Sequence, residues 1–409
     1  MRKILSAVLG GAAALFITLS AAALPMPEIA SESAIVMDAA TGQVLYEKDG
    51  YSKQYPASIT KIMTGLLVLE KGNLSDTVTI TNTAVQIEKN ASNIALIPGE
   101  EISVEALMYG LAIESANDAA NALGEYISGS QQAFARLMTE RAKELGAQNT
   151  NFVNASGLHD PNHYTTAYDM AMIARECIKH PEFNTIFSTE KYKIPATNKQ
   201  VERTLNCANW FVNGAYEIDG LVMTKIGWTE EATHTMVTVV ERNDMTLICV
   251  VMRSSSKKQK WEDTEKLFDR AFETFIPVSL SGEKIALSGD EIIPCNEKGT
   301  LYVTRESITA EGATVLVTNE ADIDNIKVTY SSPSVSDDMQ TAYFTATISL
   351  DGKDITSVKA EAPIQERKLS YEPPTAEVNK ISDMFVSVIF GVLTFIAVMI
   401  VDILINKRI

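Results

Sequence analysis

Tyr55-Pro56-Ala57-Ser58-Ile59-Thr60-Lys61-Ile62-Met63-Thr64-Gly65-Leu66-Leu67-Val68-Leu69 is a proline-led turn that feeds an apolar helix. Positions three apart share a helix face, so the Ser58 hydroxyl and the Lys61 amine can meet. A serine hydroxyl is a poor nucleophile until a base takes its proton. A lysine amine can be that base when burial and nearby positive charge lower its pKa, and the apolar run after Lys61 supplies the desolvated setting. The helix N-terminus also points backbone N–H groups at a developing oxyanion. Because Ser and Lys fall three apart by chance in most long chains, the pair needs company before it carries an assignment.

Working outward, Ala34-Ile35-Val36-Met37-Asp38 and Gln43-Val44-Leu45-Tyr46-Glu47 flank a Gly42 turn and predict a hairpin. Beyond the helix, Glu114-Ser115-Ala116-Asn117-Asp118 interrupts two helical stretches, Val104 to Ile113 and Ala119 to Ile127, and places a hydroxyl and an amide in a tight connection. Then Ile218-Asp219-Gly220-Leu221-Val222-Met223-Thr224-Lys225-Ile226-Gly227-Trp228-Thr229 precedes two apolar strands, Met236 to Val240 and Thr246 to Val251. A lysine on a strand beside a glycine offers a cation to a carboxylate and lets a substrate backbone approach closely. Helical and strand patterns alternate as far as Phe275, which predicts an α/β body. From Pro277 to about Ala362 the runs are short, alternating and rich in β-branched and aromatic residues, as in Thr314-Val315-Leu316-Val317 and Ala342 to Ile348, which predicts a small β-sandwich.

The three elements occur in the order SxxK, SxN, KxG, and in that order they resemble the serine penicillin-binding proteins and related β-lactamases. Pro56 to Thr64, Ser115-Ala116-Asn117-Asp118-Ala119-Ala120, and Asn154-Ala155-Ser156-Gly157-Leu158-His159-Asp160 with Tyr164 to Met170 are most similar to the low-molecular-mass D-alanyl-D-alanine carboxypeptidases, peptidase family S11. The likeness covers about Ser33 to Phe275, and a β-rich block with a C-terminal anchor is also that family's layout. It implies an α/β (α+β) DD-peptidase-like transpeptidase domain. It also implies roles. Ser58 is acylated by the penultimate D-alanine carbonyl of a peptidoglycan stem peptide, Lys61 takes its proton, and Ser115 relays a proton to the leaving amine. Asn117 holds the substrate amide and Lys61, Lys225 attracts the terminal carboxylate, and the N–H groups of Ser58 and Trp228 form the oxyanion hole. β-Lactams acylate the same serine, and no metal or organic cofactor is needed.

One departure bears on function. The family's third motif is normally Lys-Thr-Gly directly after an Asp-Gly-hydrophobic step, whereas Lys225-Ile226-Gly227 stands three residues further on, after Val222-Met223-Thr224. Ile226 removes a hydroxyl expected to bind the carboxylate, and extra residues can shift strand register, which turns side chains to the other face. Thr224 and Thr229 are the candidates to replace it. Thr233 stands where the family usually has glycine. The alternatives are therefore a D,D-endopeptidase or β-lactamase, or a catalytically impaired wall-binding envelope protein.

The ends of the chain predict where this chemistry takes place. Arg2-Lys3, the apolar stretch from Ile4 to about Leu19 and Ala21-Ala22-Ala23 read as a secretory signal peptide over 1–23. Met384 to Val401 is 18 residues without a charge, and Lys407-Arg408 follow, which predicts a single-pass C-terminal transmembrane helix over 384–405 with its basic end cytoplasmic. The expected domains are a catalytic domain over 30–275, a β-rich domain over 276–365 and a stalk over 366–383. A formal net charge of -17 repels polyanions and argues against a nucleic-acid partner. Cys177, Cys207, Cys249 and Cys295 form no CxxC pair, and Cys177 and Cys249 lie in apolar segments, as buried thiols do. His159, His163, His180 and His234 lack metal-ligand spacing. Glu101, Glu105 and Glu114 read as solvated charges, and Ser130 as the N-cap of an amphipathic helix.

Overall fold

The computed structural model describes residues 26–366 apart from 283–284, 286–291, 296–300 and 319–324. The signal-peptide, stalk and transmembrane expectations lie outside the described residues, among which no helix is long and apolar enough to cross a membrane. The described chain divides into two compact units. One comprises residues up to 289 with 309–331 and 345–360, the other 290–308 with 332–344 and from 361 on.

The first unit opens with the expected hairpin, β1 (Ser33–Asp38) and β2 (Val44–Lys48), followed by a 3-10 turn at Ala57–Thr60 and helix α1 (Lys61–Lys71). A short pair, β3 (Thr77–Thr79) and β4 (Glu101–Ser103), leads to α2 (Val104–Ile113), α3 (Asn117–Ser128), α4 (Gln131–Glu144), α5 (Ala167–Cys177) and α6 (Pro181–Phe187). Ser130 caps α4 as expected, its Oγ accepting the Ala133 N–H. A second pair, β5 (Lys191–Ile194) and β6 (Arg203–Asn206), precedes β7 (Leu221–Thr229), β8 (Thr233–Arg242), β9 (Met245–Ser254) and α7 (Lys257–Thr274).

The central sheet runs β2-β1-β9-β8-β7. Its strands read as continuous apolar runs because both faces are covered. Ile35, Met37, Val237, Val239, Ile248 and Val250 pack with α1, α2, α3 and α5, while the alternating Ala34, Val36, Met236, Val240, Cys249 and Val251 pack with Trp261, Leu267 and Phe268 of α7. Helix α1 lies inside the first layer, buried from Lys61 through Val68. An α-helix apolar all round must be enclosed by other elements. Burying Leu66 and Leu67 stabilises the fold by about 1.5–3 kcal/mol each. Gly65 lets the stacked Phe183 and Phe187 rings of α6 lie on α1, since a Cβ there would meet them at 3.0 and 3.1 Å.

The remaining strands are β10 (Ile276–Leu280), β11 (Ile292–Pro294), β12 (Leu301–Thr304), β13 (Thr309–Ala310), β14 (Ala313–Val317), β15 (Ile326–Tyr330), β16 (Ser334–Val335), β17 (Thr341–Leu350), β18 (Lys353–Pro363) and β19 (Gln365–Glu366). In the first unit β10 pairs with β14 and β15 pairs with the second half of β17. In the second unit β12 lies between β11 and β19, and β16 pairs with the first half of β17. These are the short alternating runs expected after Pro277.

The register of β7 answers the question posed by its extra residues. A bulge between Leu221 and Met223 absorbs one of them, and from Met223 to Thr229 the ladder with β8 is regular, pairing Lys225 with Val237 and Gly227 with Thr235. Lys225 and Gly227 therefore share the face that carries Met223, Val237 and Val239, the face covered by α1. Ile226 faces the opposite way and packs against the cluster of Met236 and Trp261.

Thr233 closes the β7–β8 hairpin at φ 53°, in the left-handed region, with its buried hydroxyl unpaired. A β-branched residue is strained there and glycine is not. Thr233→Gly is therefore expected to raise stability by about 1 kcal/mol, a Tm rise of about 2–4 °C by thermal melting.

Candidate active site

Ser58 sits in the 3-10 turn that runs directly into α1, one element earlier than the first helical turn expected from the sequence, while Lys61 begins the helix. The turn is held by contacts from distant segments. Ala57 is left-handed at φ 50°. Gly157, at φ 83°, lies so close that a Cβ would come within 1.9 Å of the Ala57 carbonyl oxygen. Gly227 of β7 presses from another side, where a Cβ would stand 2.8 Å from the Ser58 nitrogen and 3.0 Å from the Pro56 oxygen. The Pro56 carbonyl accepts the buried Thr235 hydroxyl of β8 at 2.8 Å.

Three buried polar side chains of α1 and its turn, Thr60, Lys61 and Thr64, all bond to the segment 153–163. Thr64 Oγ1 donates to the Ala155 oxygen at 2.7 Å, and Thr60 Oγ1 lies 2.8 Å from His163 Nε2. His163 Nδ1 accepts the Val153 N–H, so its proton is on Nε2 and goes to Thr60. Burial, with Lys61 nearby, holds His163 down to about 4 and therefore neutral. The Asn154 carboxamide oxygen takes the Ser156 and Gly157 N–H groups and sets the turn that aims the Ser156 carbonyl inward.

Lys61 Nζ is fully buried, 3.0 Å from Ser58 Oγ, 2.7 Å from Asn117 Oδ1 and 2.6 Å from the Ser156 carbonyl oxygen. Burial, followed by the charge of Lys225, lowers its pKa well below the usual lysine value, and Asp118 opposes the shift. A neutral amine has two protons and one lone pair. With both protons committed to Asn117 and Ser156, the lone pair is left for the Ser58 hydroxyl, which is the arrangement a general base requires.

Ser115 lies in the α2–α3 connection at φ 55°, and Asn117 opens α3. The strained connection is tied down by Asp118, whose buried carboxylate accepts the N–H groups of Ile94 and Leu96. Lys225 Nζ reaches across from β7 and donates to Ser115 Oγ and to its neighbour's carbonyl, Ile226 O, each at 2.9 Å. Because Ser115 Oγ accepts from Lys225, its own proton is free to be given away. Burial brings Lys225 down to about 8. β7 is the edge strand, so its outer backbone groups face away from the sheet and past Ser58.

All the expected residues thus meet except Ile226, whose side chain packs on the far face of β7. Trp228 is 61% exposed and, with Ser58, Asn117, His159, Glu231 and the 88–92 loop, lines a cleft of about 500 Å³. Of the two threonines considered as substitutes, Thr229 Oγ1 accepts the Ala232 N–H in the hairpin turn, and Thr224 is buried against Thr238 and Asn209. The residues to which the sequence assigned no role in the site are Ser156, Gly157, His163 and Thr235, which act through backbone or by bonding the turn that carries Ser58. The Asn-Ala-Ser-Gly turn was the one available signal. Among the described residues, Glu70, Glu176 and His180 have metal-ligand spacing, but the Arg141 guanidinium already lies 2.7 Å from Glu70 and 3.6 Å from Glu176 and supplies the positive charge.

A profile of the peptidase S11 family, D-alanyl-D-alanine carboxypeptidase, matches residues 20–256. The chain belongs to this family. It is 37% identical over 254 residues to D-alanyl-D-alanine carboxypeptidase DacF of Bacillus subtilis, covering 60% of this chain and 63% of that one. It is 35% identical over 265 residues to DacC of Escherichia coli, covering 62% and 64%. The matched region thus spans less than two thirds of those relatives' own length. Among solved structures, penicillin binding protein 5 of Haemophilus influenzae is similar with a TM-score of 0.67 and 27% identity, over 84% of this chain and 100% of that one. Membership of the S11 family agrees with the resemblance drawn from the three motifs.

Proposed function

We propose that the protein is a serine D-alanyl-D-alanine carboxypeptidase that trims peptidoglycan stem peptides through an ester on Ser58 and is acylated by β-lactams at the same oxygen. The observation that carries this reading is the buried Lys61 amine, held by Asn117 and Ser156 with its lone pair toward Ser58 Oγ. Lys61 takes the Ser58 proton as Oγ bonds to the penultimate D-alanine carbonyl carbon. Backbone N–H groups of Ser58 and Trp228 take the oxyanion. The C–N bond then breaks as Ser115 protonates the leaving amine, and the proton that Lys61 took from Ser58 passes to Ser115, which leaves the Lys61 amine neutral again. Water, deprotonated by Lys61, cleaves the ester and restores Ser58. The chain works outside the cytoplasmic membrane, with 1–23 as signal peptide, 30–275 as catalytic domain, 276–365 as β-rich domain, 366–383 as stalk and 384–405 as membrane anchor.

D-Alanine release from a pentapeptide, measured against pH, tests the reading. Lys61 must be neutral to act as base, so kcat/KM rises as pH passes upward through its lowered pKa. Lys225 must be charged to attract a carboxylate, so kcat/KM falls again above about 8. A bell-shaped profile is the expected result, and a profile that stays level through that alkaline region contradicts the assignment of Lys225.

A further inference from the structure

Tyr51, Lys53 and Tyr55 stand at alternate positions in the segment that leads from β2 to Ser58. Between them, Gln54 exchanges two backbone hydrogen bonds with Thr165, of 2.8 and 2.9 Å. That bridge lays the segment antiparallel to 159–168 and sets three side-chain pairs in a row. The rings of Tyr51 and Tyr168 lie 4.9 Å apart, the Lys53 ammonium stands 4.3 Å over the Tyr164 ring, and Tyr55 meets His159 edge-on at 4.6 Å. Tyr51 is 53% exposed, and Lys53 is exposed as well. Among the described residues, neither the Lys53 ammonium nor the hydroxyls of these four tyrosines have a hydrogen-bond partner.

The row starts at the catalytic cleft, since His159 lines that cleft with Ser58 and lies 3.9 Å from the Glu231 carboxylate. At its other end, Tyr51 and Tyr168 line a groove of about 640 Å³ with Glu47, Asp351 and Lys353. Lys225, Trp228 and Glu231 follow one another along β7 and the hairpin turn after it. A peptide with its carboxylate toward Lys225 and its reacting carbonyl at the Trp228 N–H therefore runs its amino-terminal part toward Glu231 and His159. The four residues of a pentapeptide before the scissile bond reach at most about 13–14 Å, and the seven positions from Ser58 back to Tyr51 at most about 23–25 Å. These limits are of one order, so a bound stem peptide delivers its amino end, where the glycan strand is attached, to the row. A pyranose ring has a face of weakly positive C–H bonds and a rim of hydroxyl and acetamido groups. The face suits the negative face of an aromatic ring, and the rim suits uncommitted phenol hydroxyls and an ammonium. Rings already paired lose little freedom when a ligand arrives.

We propose that the row from Tyr55 to Tyr51 binds the glycan strand to which the stem peptide is attached, with the Tyr51 ring as platform for a sugar face and Lys53 as donor to its rim. This rests on the carboxypeptidase reading above and adds to it a preference for glycan-linked over free peptides.

The test uses the full chain and compares D-alanine release from a free pentapeptide with release from the same pentapeptide carried on a short glycan strand. For the wild type, kcat/KM should be roughly 10-fold higher on the glycan-linked substrate, mainly through KM. Tyr51→Ala should lose that advantage while kcat/KM for the free pentapeptide stays at the wild-type value, and Tyr51→Phe, which keeps the ring, should keep most of it. Equal kcat/KM on the two substrates for the wild type overturns the proposal. So does a Tyr51→Ala protein that keeps the wild-type ratio, as it would if the row held another protein, or one that slows equally on both substrates, which marks a merely structural role. If Tyr51→Ala does not fold, Lys53→Gln read on the same pair decides in the same way. A wild-type protein that releases D-alanine from neither substrate takes down the carboxypeptidase reading and this proposal with it, which is a different outcome from equal rates on the two.

Discussion

Replacing Lys61 by methionine should lower both D-alanine release and β-lactam acylation by roughly 10³- to 10⁴-fold. Methionine fills nearly the same volume, so the loss comes from chemistry rather than from a cavity. Without the amine, the Ser58 proton has no acceptor among the described side chains around it: the Asn117 and Ser156 oxygens both face the Lys61 nitrogen. The same change leaves those two buried oxygens without their donor, at about 1–3 kcal/mol each, so a lower Tm should accompany the lost activity. Stopped-flow acylation with a chromogenic cephalosporin measures the first effect directly. A Lys61→Met protein acylated at a rate near that of the wild type would show that another group takes the proton.

The second large effect is expected at Gly227. A methyl group there would lie 2.4 Å from Thr235 Oγ1 and 2.8 Å from the Ser58 nitrogen. Neither neighbour can yield, because Thr235 is buried and bonded to Pro56 O, and the Ser58 turn is wedged between β7 and Gly157. The edge strand must therefore move outward. Displacements of about 1 Å at a reacting centre cost on the order of 100-fold in rate, and the overpacking itself costs about 1–3 kcal/mol. Gly227→Val should thus lose acylation by about 100-fold or more, read by the same stopped-flow assay. Gly214→Asn is the control, since a Cβ at Gly214 meets nothing within 4 Å. Wild-type acylation by Gly227→Val would mean that β7 does not form one wall of the site.

Much of this arrangement is legible in the amino-acid sequence. Local pattern was enough for the β1–β2 hairpin, for the helical stretches on either side of Ser115 and for the apolar strands β8 and β9, because each depends on neighbours a few residues away. Motif order was enough to bring Ser58, Lys61, Ser115, Asn117 and Lys225 together. What did not show was anything decided across long separations. The left-handed Ala57 turn is shaped by Gly157, and the second proton of the Lys61 amine is placed by the carbonyl of Ser156, an atom present in every residue type. The bulge between Leu221 and Met223 was equally invisible, since nothing in Leu-Val-Met marks which residue leaves the ladder. That bulge is why three extra residues before Lys225 leave its face unchanged while Ile226 turns toward α7.

The central claim is that Ser58 is the acylated residue. Intact-protein mass spectrometry after incubation with benzylpenicillin tests it most directly. The account predicts one covalent adduct on the wild-type protein, localised by peptide mapping to the segment containing Ser58, and none on Ser58→Ala. No adduct on the wild type, or the same adduct on Ser58→Ala, would contradict it.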